Sequence, residues 1–127
     1  MIWLACVCGG AQSLPGPEAS AGWQKYAGNP VLGGPLGTCF DVCLLKEKRV
    51  YRMWFSWRPH ASIALTESAD GIHWSAPRIV LGSVPGSSWE QDVNRPVVIR
   101  HGRGYQMWYT GQANGRSTAL TSWPSQP

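Results

Sequence analysis

Seven carboxylates are spread over 127 residues, and three of them, Asp41, Glu90 and Asp92, sit in settings that suit acid–base chemistry or polar recognition. Asp41 lies between Phe40 and Val42, apolar bulk that would leave a carboxylate partly dehydrated and its pKa open to tuning. The plainer role at that place is to accept backbone N–H bonds at the entrance to a strand. Glu90 and Asp92 belong to the run Trp89-Glu90-Gln91-Asp92-Val93-Asn94-Arg95-Pro96, in which Asn94 and Arg95 offer hydrogen-bonding groups suited to hydroxyls. For Asp92 the simpler alternatives are an ion pair with Arg95 or a loop cap. His60 and His73 fall in or beside turns. No Cys-x-x-Cys and no histidine pair at ligand spacing occurs, so neither a metal nor a cofactor is expected.

The elements that must position these groups announce themselves by repetition. Tyr51-Arg52-Met53-Trp54-Phe55-Ser56-Trp57 and Tyr105-Gln106-Met107-Trp108-Tyr109-Thr110-Gly111 are one pattern written twice, 54 positions apart. Both alternate strictly, as strands do, and both carry large aromatics on each face. A strand that is bulky on both sides must be covered on both sides, which predicts middle strands of small sheets packed between other sheets. Counting back from the paired strands, Arg95 occupies in the second unit the place that Asp41 holds in the first.

Around the first copy the sequence predicts a strand over Val42–Leu45, a turn at Lys46–Arg49, the Tyr51–Trp57 strand, a third strand over Ser62–Glu67 and a fourth that begins at Ile72-His73-Trp74 and closes at Ile79–Leu81. In Ser68-Ala69-Asp70-Gly71-Ile72-His73-Trp74, Asp70 and Gly71 supply the turn, Ser68 caps it and Trp74 packs it on the sheet. The second unit repeats the order with Val97–Arg100, a turn at His101–Gly104, the Tyr105 strand, and Ser117–Thr121 answering Ser62–Thr66. Its last strand is missing. The expected organisation is a flexible leader over residues 1–22 and propeller-like blades over 23–127, blade one at about 23–82 and blade two at about 89–127.

Eight Trp, 15 Gly and 10 Pro with 14% charged residues mark an all-β chain, too apolar and aromatic for disorder. The formal charge of +4 is scattered rather than gathered into a stripe, so no nucleic-acid partner is expected. The apolar run Ile2–Cys8 is short and has no preceding Lys or Arg, and nothing else approaches a membrane span. The chain therefore reads as soluble, cytoplasmic or exported. Cys6, Cys8, Cys39 and Cys43 read as buried free thiols, with a disulfide or a metal site as the alternatives; Cys39 and Cys43, four apart in an extended segment, are too far apart to pair with each other. A closed propeller needs at least about four blades, and about two are present. The expectation is a fragment of a longer product or a homo-oligomer that supplies the absent blades.

The order Trp23-x-x-Tyr26-x-x-Asn29-Pro30-Val31-Leu32, then Phe40-Asp41 before a strand, then Tyr51-x-Met53-Trp54-Phe55-Ser56, then Ser68-x-Asp70-Gly71-Ile72-x-Trp74-Ser75 resembles the five-bladed β-propeller glycosidases, the superfamily of arabinanases, β-xylosidases, β-fructosidases and mannoside phosphorylases. It covers Trp23 to about Thr121, the first two blades of such an enzyme. The resemblance implies a carbohydrate substrate and glycoside hydrolase chemistry. Asp41 then matches the first-blade carboxylate, a general base or nucleophile in glycoside cleavage or an acid in the phosphorylase-like branch, with Asp92 or Glu90 as the other carboxylates within this chain. Trp57 and Trp89 become candidate sugar platforms beside Asn94 and Arg95, because an aromatic face packs on the apolar face of a sugar ring; Trp108 shares that chemistry, but its place in a repeated strand, like that of Trp54, points to packing between blades. The competing expectation is a non-catalytic carbohydrate-binding or self-assembling blade module.

Overall fold

A computed structural model describes residues 24–114 and 116–124, the last stretch as backbone. The expected leader, Cys6, Cys8 and Trp23 lie outside the described residues. The architecture is all-β and antiparallel. Strands β1 (Cys39–Glu47), β2 (Val50–Trp57), β3 (Ser62–Ser68) and β4 (Arg78–Leu81) form one sheet in that order, and β5 (Asp92–His101), β6 (Gly104–Ala113) and β7 (Arg116–Pro124) form a second. Among the described residues the only helical turns are short 3-10 segments at Gly34–Leu36 and Arg58–His60, and no helix is long and apolar enough to cross a membrane.

Both repeated aromatic strands are middle strands, as their two-sided bulk requires. In β2 the consecutive residues Met53, Trp54, Phe55 and Ser56 are all buried. β6 is buried on alternate residues, at Met107, Tyr109, Gly111 and Ala113. Its other face, with Gln106, Trp108 and Thr110, is only half-buried.

Two expectations shift. Ile72–Trp74 is not the start of a strand; the fourth strand is Arg78–Leu81 alone. The reason is local competition for backbone donors. Asp70 Oδ1 accepts the N–H groups of Ile72 and His73, each at 2.8 Å, and Ser68 Oγ accepts that of Gly71 at 2.8 Å. Side chains thus bind the donors that a ladder would use. The second shift concerns β7. Leu65 pairs with Trp54 in the first sheet, whereas Ser122 pairs with the equivalent Trp108 in the second, and Leu120 stands opposite Thr110. The resemblance of Ser117–Thr121 to Ser62–Thr66 is therefore offset by two residues from the structural equivalence. An even offset keeps every side on its face.

The sheets pack face to face, with β5 lying over β1 and β2 and reaching β3. Trp54, Ile63 and Leu65 from the first sheet meet Val93, Val98, Met107 and Tyr109 from the second, with Cys43 and Leu45 at the margin. The Trp54 ring lies 5.1 Å from that of Tyr105, tilted by 60°. Cys39 and Cys43 are free thiols. Burial pushes the Cys39 thiol up, while Cys43 Sγ accepts the Val98 N–H at 3.2 Å and faces the Val98 carbonyl at 3.7 Å. A thiol between two strand edges satisfies backbone groups that would otherwise be left unpaired.

Trp54 and Trp108 are the same position in the two units but differ in covering. Replacing Trp54 with Ala is expected to lower the unfolding free energy by about 3–5 kcal/mol. The same change at Trp108 should cost about 1 kcal/mol. Urea titration followed by far-UV circular dichroism measures both, and equal losses would contradict the one-sided packing.

Candidate functional site

The first strand of each sheet carries a β-bulge at the same place. Pairing slips between Phe40 and Cys43 in β1 and between Asn94 and Val97 in β5, so that one extra residue is inserted in each. The left-handed residue of each bulge is Asp41, with φ 49°, and Arg95, with φ 55°. Neither is glycine, and a non-glycine residue there costs about 1–2 kcal/mol, less for Asp than for Arg. A bulge re-aims its side chains out of the regular alternation. Here the result is convergence: Arg95 Nε lies 3.8 Å from Asp41 Oδ2. The Arg95 backbone N–H donates to the buried Ser56 hydroxyl at 2.9 Å, which fixes the second bulge onto the first sheet.

Asp92, at the start of β5, joins the group through Arg58, whose Nη1 is 4.0 Å from Asp92 Oδ2. The Arg58 guanidinium also covers the Phe40 ring at 4.7 Å. Asp41, Arg95, Asp92 and Arg58 therefore make a patch of two carboxylates and two guanidinium groups at the head of both sheets. Half of the Arg95 side chain and over a third of that of Asp41 face solvent. At 3.8 and 4.0 Å these are ion pairs without a hydrogen bond, worth little to stability. The partner of Asp92 is Arg58, not Arg95 as one sequence alternative had it.

The other expected site residues have partners within the fold. Glu90 Oε1 accepts a 2.6 Å hydrogen bond from Tyr109 Oη. Burial of that phenol, and then its bond to Glu90, pushes the Tyr109 pKa far up. Trp89 stacks on Tyr109 with centroids 6.3 Å apart and fits over Gly111, where a Cβ would stand 2.4 Å from the Trp89 carbonyl oxygen and 2.6 Å from its ring. Asn94 is 1% exposed, and its Nδ2 donates to Gln112 Oε1 at 2.9 Å. Trp57 donates from Nε1 to the Leu36 carbonyl at 2.8 Å and packs its ring 4.0 Å from His60. Of the seven, three converge on the patch: Asp41, Asp92 and Arg95. The participant that sequence reasoning missed is Arg58, which a count of 54 from Gln112 does not flag because the residue types differ.

A second polar cluster lies at the opposite end of β1. Glu47 Oε2 accepts hydrogen bonds from Tyr105 Oη and, at 2.7 Å, from Arg52 Nη1. Arg52 Nε donates to Glu67 Oε1 at 2.7 Å, and Arg100 Nε stands 3.6 Å from Glu47 Oε1. Arg100 and Arg52 also lie 5.1 and 5.9 Å from the centre of the Tyr105 ring. The Tyr105 hydroxyl, then the two arginines, hold the Glu47 carboxyl below its ordinary value. The charges of this cluster are spent on one another, which makes it a clasp between sheets. The expected solvated turn at Lys46–Arg49 is narrower than its sequence, because Glu47 is drawn into this clasp.

Among the described residues no group of three or more His, Cys, Asp or Glu side chains is placed to hold a metal ion. No family model matches the chain, and comparisons with curated proteins and with solved structures returned no match.

The bulge separates backbone from side chain. Arg95→Gly, which suits a positive φ, should change stability by no more than about 1 kcal/mol, whereas Arg95→Val should be more destabilising. Thermal melts of both variants check this, and equal effects would contradict a left-handed residue 95. The clasp gives a pH dependence. The folded Glu47 pKa lies below its ordinary 4.5, so its contribution is fully present above that value and is lost as pH falls through the folded pKa. Glu47→Gln should therefore flatten the fall in melting temperature below about pH 4.5; an unchanged slope would show that Glu47 is not engaged.

Proposed function

We propose that the two sheets are successive blades of a β-propeller of the five-bladed glycosidase type, and that the patch formed by Asp41, Arg95, Asp92 and Arg58 is its carbohydrate site. The protein is then carbohydrate-active, a glycoside hydrolase-like chain acting on the glycosidic bonds of oligosaccharides or polysaccharides. The observation that carries this is the convergence of two equivalent bulges, which brings the Asp41 carboxylate within 3.8 Å of the Arg95 guanidinium at a solvent-facing place. Backbone held in a sparsely populated region is characteristic of sites where side-chain aim matters more than local stability.

The chemistry of the patch suits a polyol. A carboxylate accepts from two hydroxyls and a guanidinium donates in a planar fork, so neighbouring hydroxyls on one ring can be held by both. In hydrolysis Asp41 would serve as base or nucleophile. A second carboxyl about 5–9.5 Å away across the scissile bond is needed, and Asp92 is the candidate in the patch. Glu90 and Trp89 are engaged by Tyr109 and are not part of the patch. The aromatic ring at the patch is that of Phe40, under the Arg58 guanidinium; Trp57 is held by Leu36 and His60.

A second reading, a blade module that binds sugar without cleaving it, is favoured by a specific feature. Asp41 and Asp92 each face an arginine, an arrangement better suited to holding hydroxyls than to passing protons.

Aryl-glycosides and arabino-, xylo-, fructo- and manno-oligosaccharides form the test panel, with hydrolysis and calorimetric binding measured in parallel. For an enzyme, Asp41→Asn should reduce turnover about 100-fold or more with a smaller effect on binding. For a binding module the wild type turns over nothing and Asp41→Asn weakens binding. A wild type that neither binds nor cleaves any member would overturn the carbohydrate reading.

A further inference from the structure

The internal repeat makes the contact between the two sheets an object that the outer surfaces can repeat. The first sheet turns Cys43, Leu45 and Trp54 toward the second. Their counterparts 54 positions on are Val97, Ile99 and Trp108, which share the outer face of the second sheet, since Val97 pairs with Trp108 as Cys43 pairs with Trp54. That face is open: Val97 is 56% and Ile99 44% exposed, and Trp108 is half-buried.

The opposite end of the molecule shows the complementary surface. The second sheet presents Val98, Tyr105 and Met107 to the first. Their counterparts are Leu44, Tyr51 and Met53, on the face of the first sheet that turns away from the second. Leu44 is 51% exposed where Val98 is 3% exposed, and Tyr51 is half-buried, whereas Met53 is itself buried beside Asn29–Leu32, so Leu44 and Tyr51 are what this face offers. The likeness extends to charge. Lys46 lies over the Tyr51 ring at 4.7 Å as Arg100, its counterpart, lies over Tyr105 at 5.1 Å.

We infer that a second copy of this chain docks head to tail, the Leu44–Tyr51 face of one copy seated on the Val97–Ile99–Trp108 face of the next, in the manner of the contact inside each chain. The inference rests on reading the two sheets as equivalent blades, and deepens that reading by assigning the surface and the partner. Trp108 of one copy then packs tilted against Tyr51 of the next, as Trp54 does against Tyr105. The contact between copies lacks one feature of the internal one. His101 and Gln106 stand where the first sheet has Glu47 and Arg52, so the ionic clasp is not reproduced. The association is thus apolar, weaker than the internal packing, and reversible. Because the two docking faces differ, the interface is heterologous, and each added copy exposes a fresh face for another.

Two exposed positions test this. Val97→Lys removes one docking face and Leu44→Lys the other, and both side chains are exposed enough for the fold to survive, which circular dichroism melts verify. Size-exclusion chromatography with light scattering should show the wild type growing in mass with concentration, beyond a dimer. Each variant alone should be monomeric. Mixed in equal amounts they should form a dimer and nothing larger, since the intact face of each fits the intact face of the other. A wild type that stays monomeric at its solubility limit overturns the inference, as does loss of association in only one variant, which marks a symmetric contact, or a mixture that stays monomeric. A chain that fails to bind sugar leaves this result unaffected, and a monomeric wild type leaves the sugar site unaffected.

Discussion

The contact of Trp54 with the second sheet is what makes one core out of two small sheets. Each sheet has an apolar face that must be covered, and both repeated strands carry aromatics that water would otherwise meet. Trp54 answers this by packing into the inner face of the second sheet, beside Tyr105. Polar ties then hold the register of the two sheets along the length of β1 and β5. Ser56 takes the Arg95 N–H at one end, Cys43 takes the Val98 N–H in the middle, and Glu47 takes the Tyr105 hydroxyl at the other. Each tie joins one side chain of the first sheet to a polar group of the second.

That fixed register is also what gives the bulges their meaning. A left-handed residue in an isolated strand merely bends it, but two of them, 54 positions apart and clamped side by side, point at one another. The repeat has kept the backbone at the two positions and changed the chemistry, with Asp in one and Arg in the other. Opposite charges allow the two side chains to share a place that two carboxylates would contest. The clasp at the far end of β1 uses the same residue types for another purpose. There the carboxylate is enclosed by a hydroxyl and two arginines, and its groups serve the fold.

The fold was legible wherever periodicity carried it. The alternation of large residues in Tyr51–Trp57 and Tyr105–Gly111 gave middle strands, and the flanking turn residues gave hairpins. What escaped was decided by side chains that bind backbone. Ile72–Trp74 has a strand-like composition, yet Asp70 takes the Ile72 and His73 donors while Ser68 takes that of Gly71 just before them. The pairing of β7 followed ladder geometry rather than the likeness of Ser117–Thr121 to Ser62–Thr66, because a two-residue slip conserves the faces and so leaves no trace in the pattern. At the site, Asp41 and Arg95 could be placed as equivalents by counting. Their approach could not, since nothing in the residue types around them announces a bulge. Their position in a loop makes Trp89 a candidate sugar platform and Glu90 a candidate catalytic carboxylate, but their partner Tyr109 lies on a different strand, in the buried half of an aromatic repeat.

The central claim is that the heads of β1 and β5 form a sugar site. Nuclear magnetic resonance with nitrogen-15-labelled protein reads it residue by residue as arabino-, xylo-, fructo- and manno-oligosaccharides are added. The account predicts shifts for one of these sugars confined to residues 40–42, 57–58 and 92–96, with the 47–52 and 100–105 clasp unchanged. Shifts centred on the clasp, or none with any sugar, would contradict it.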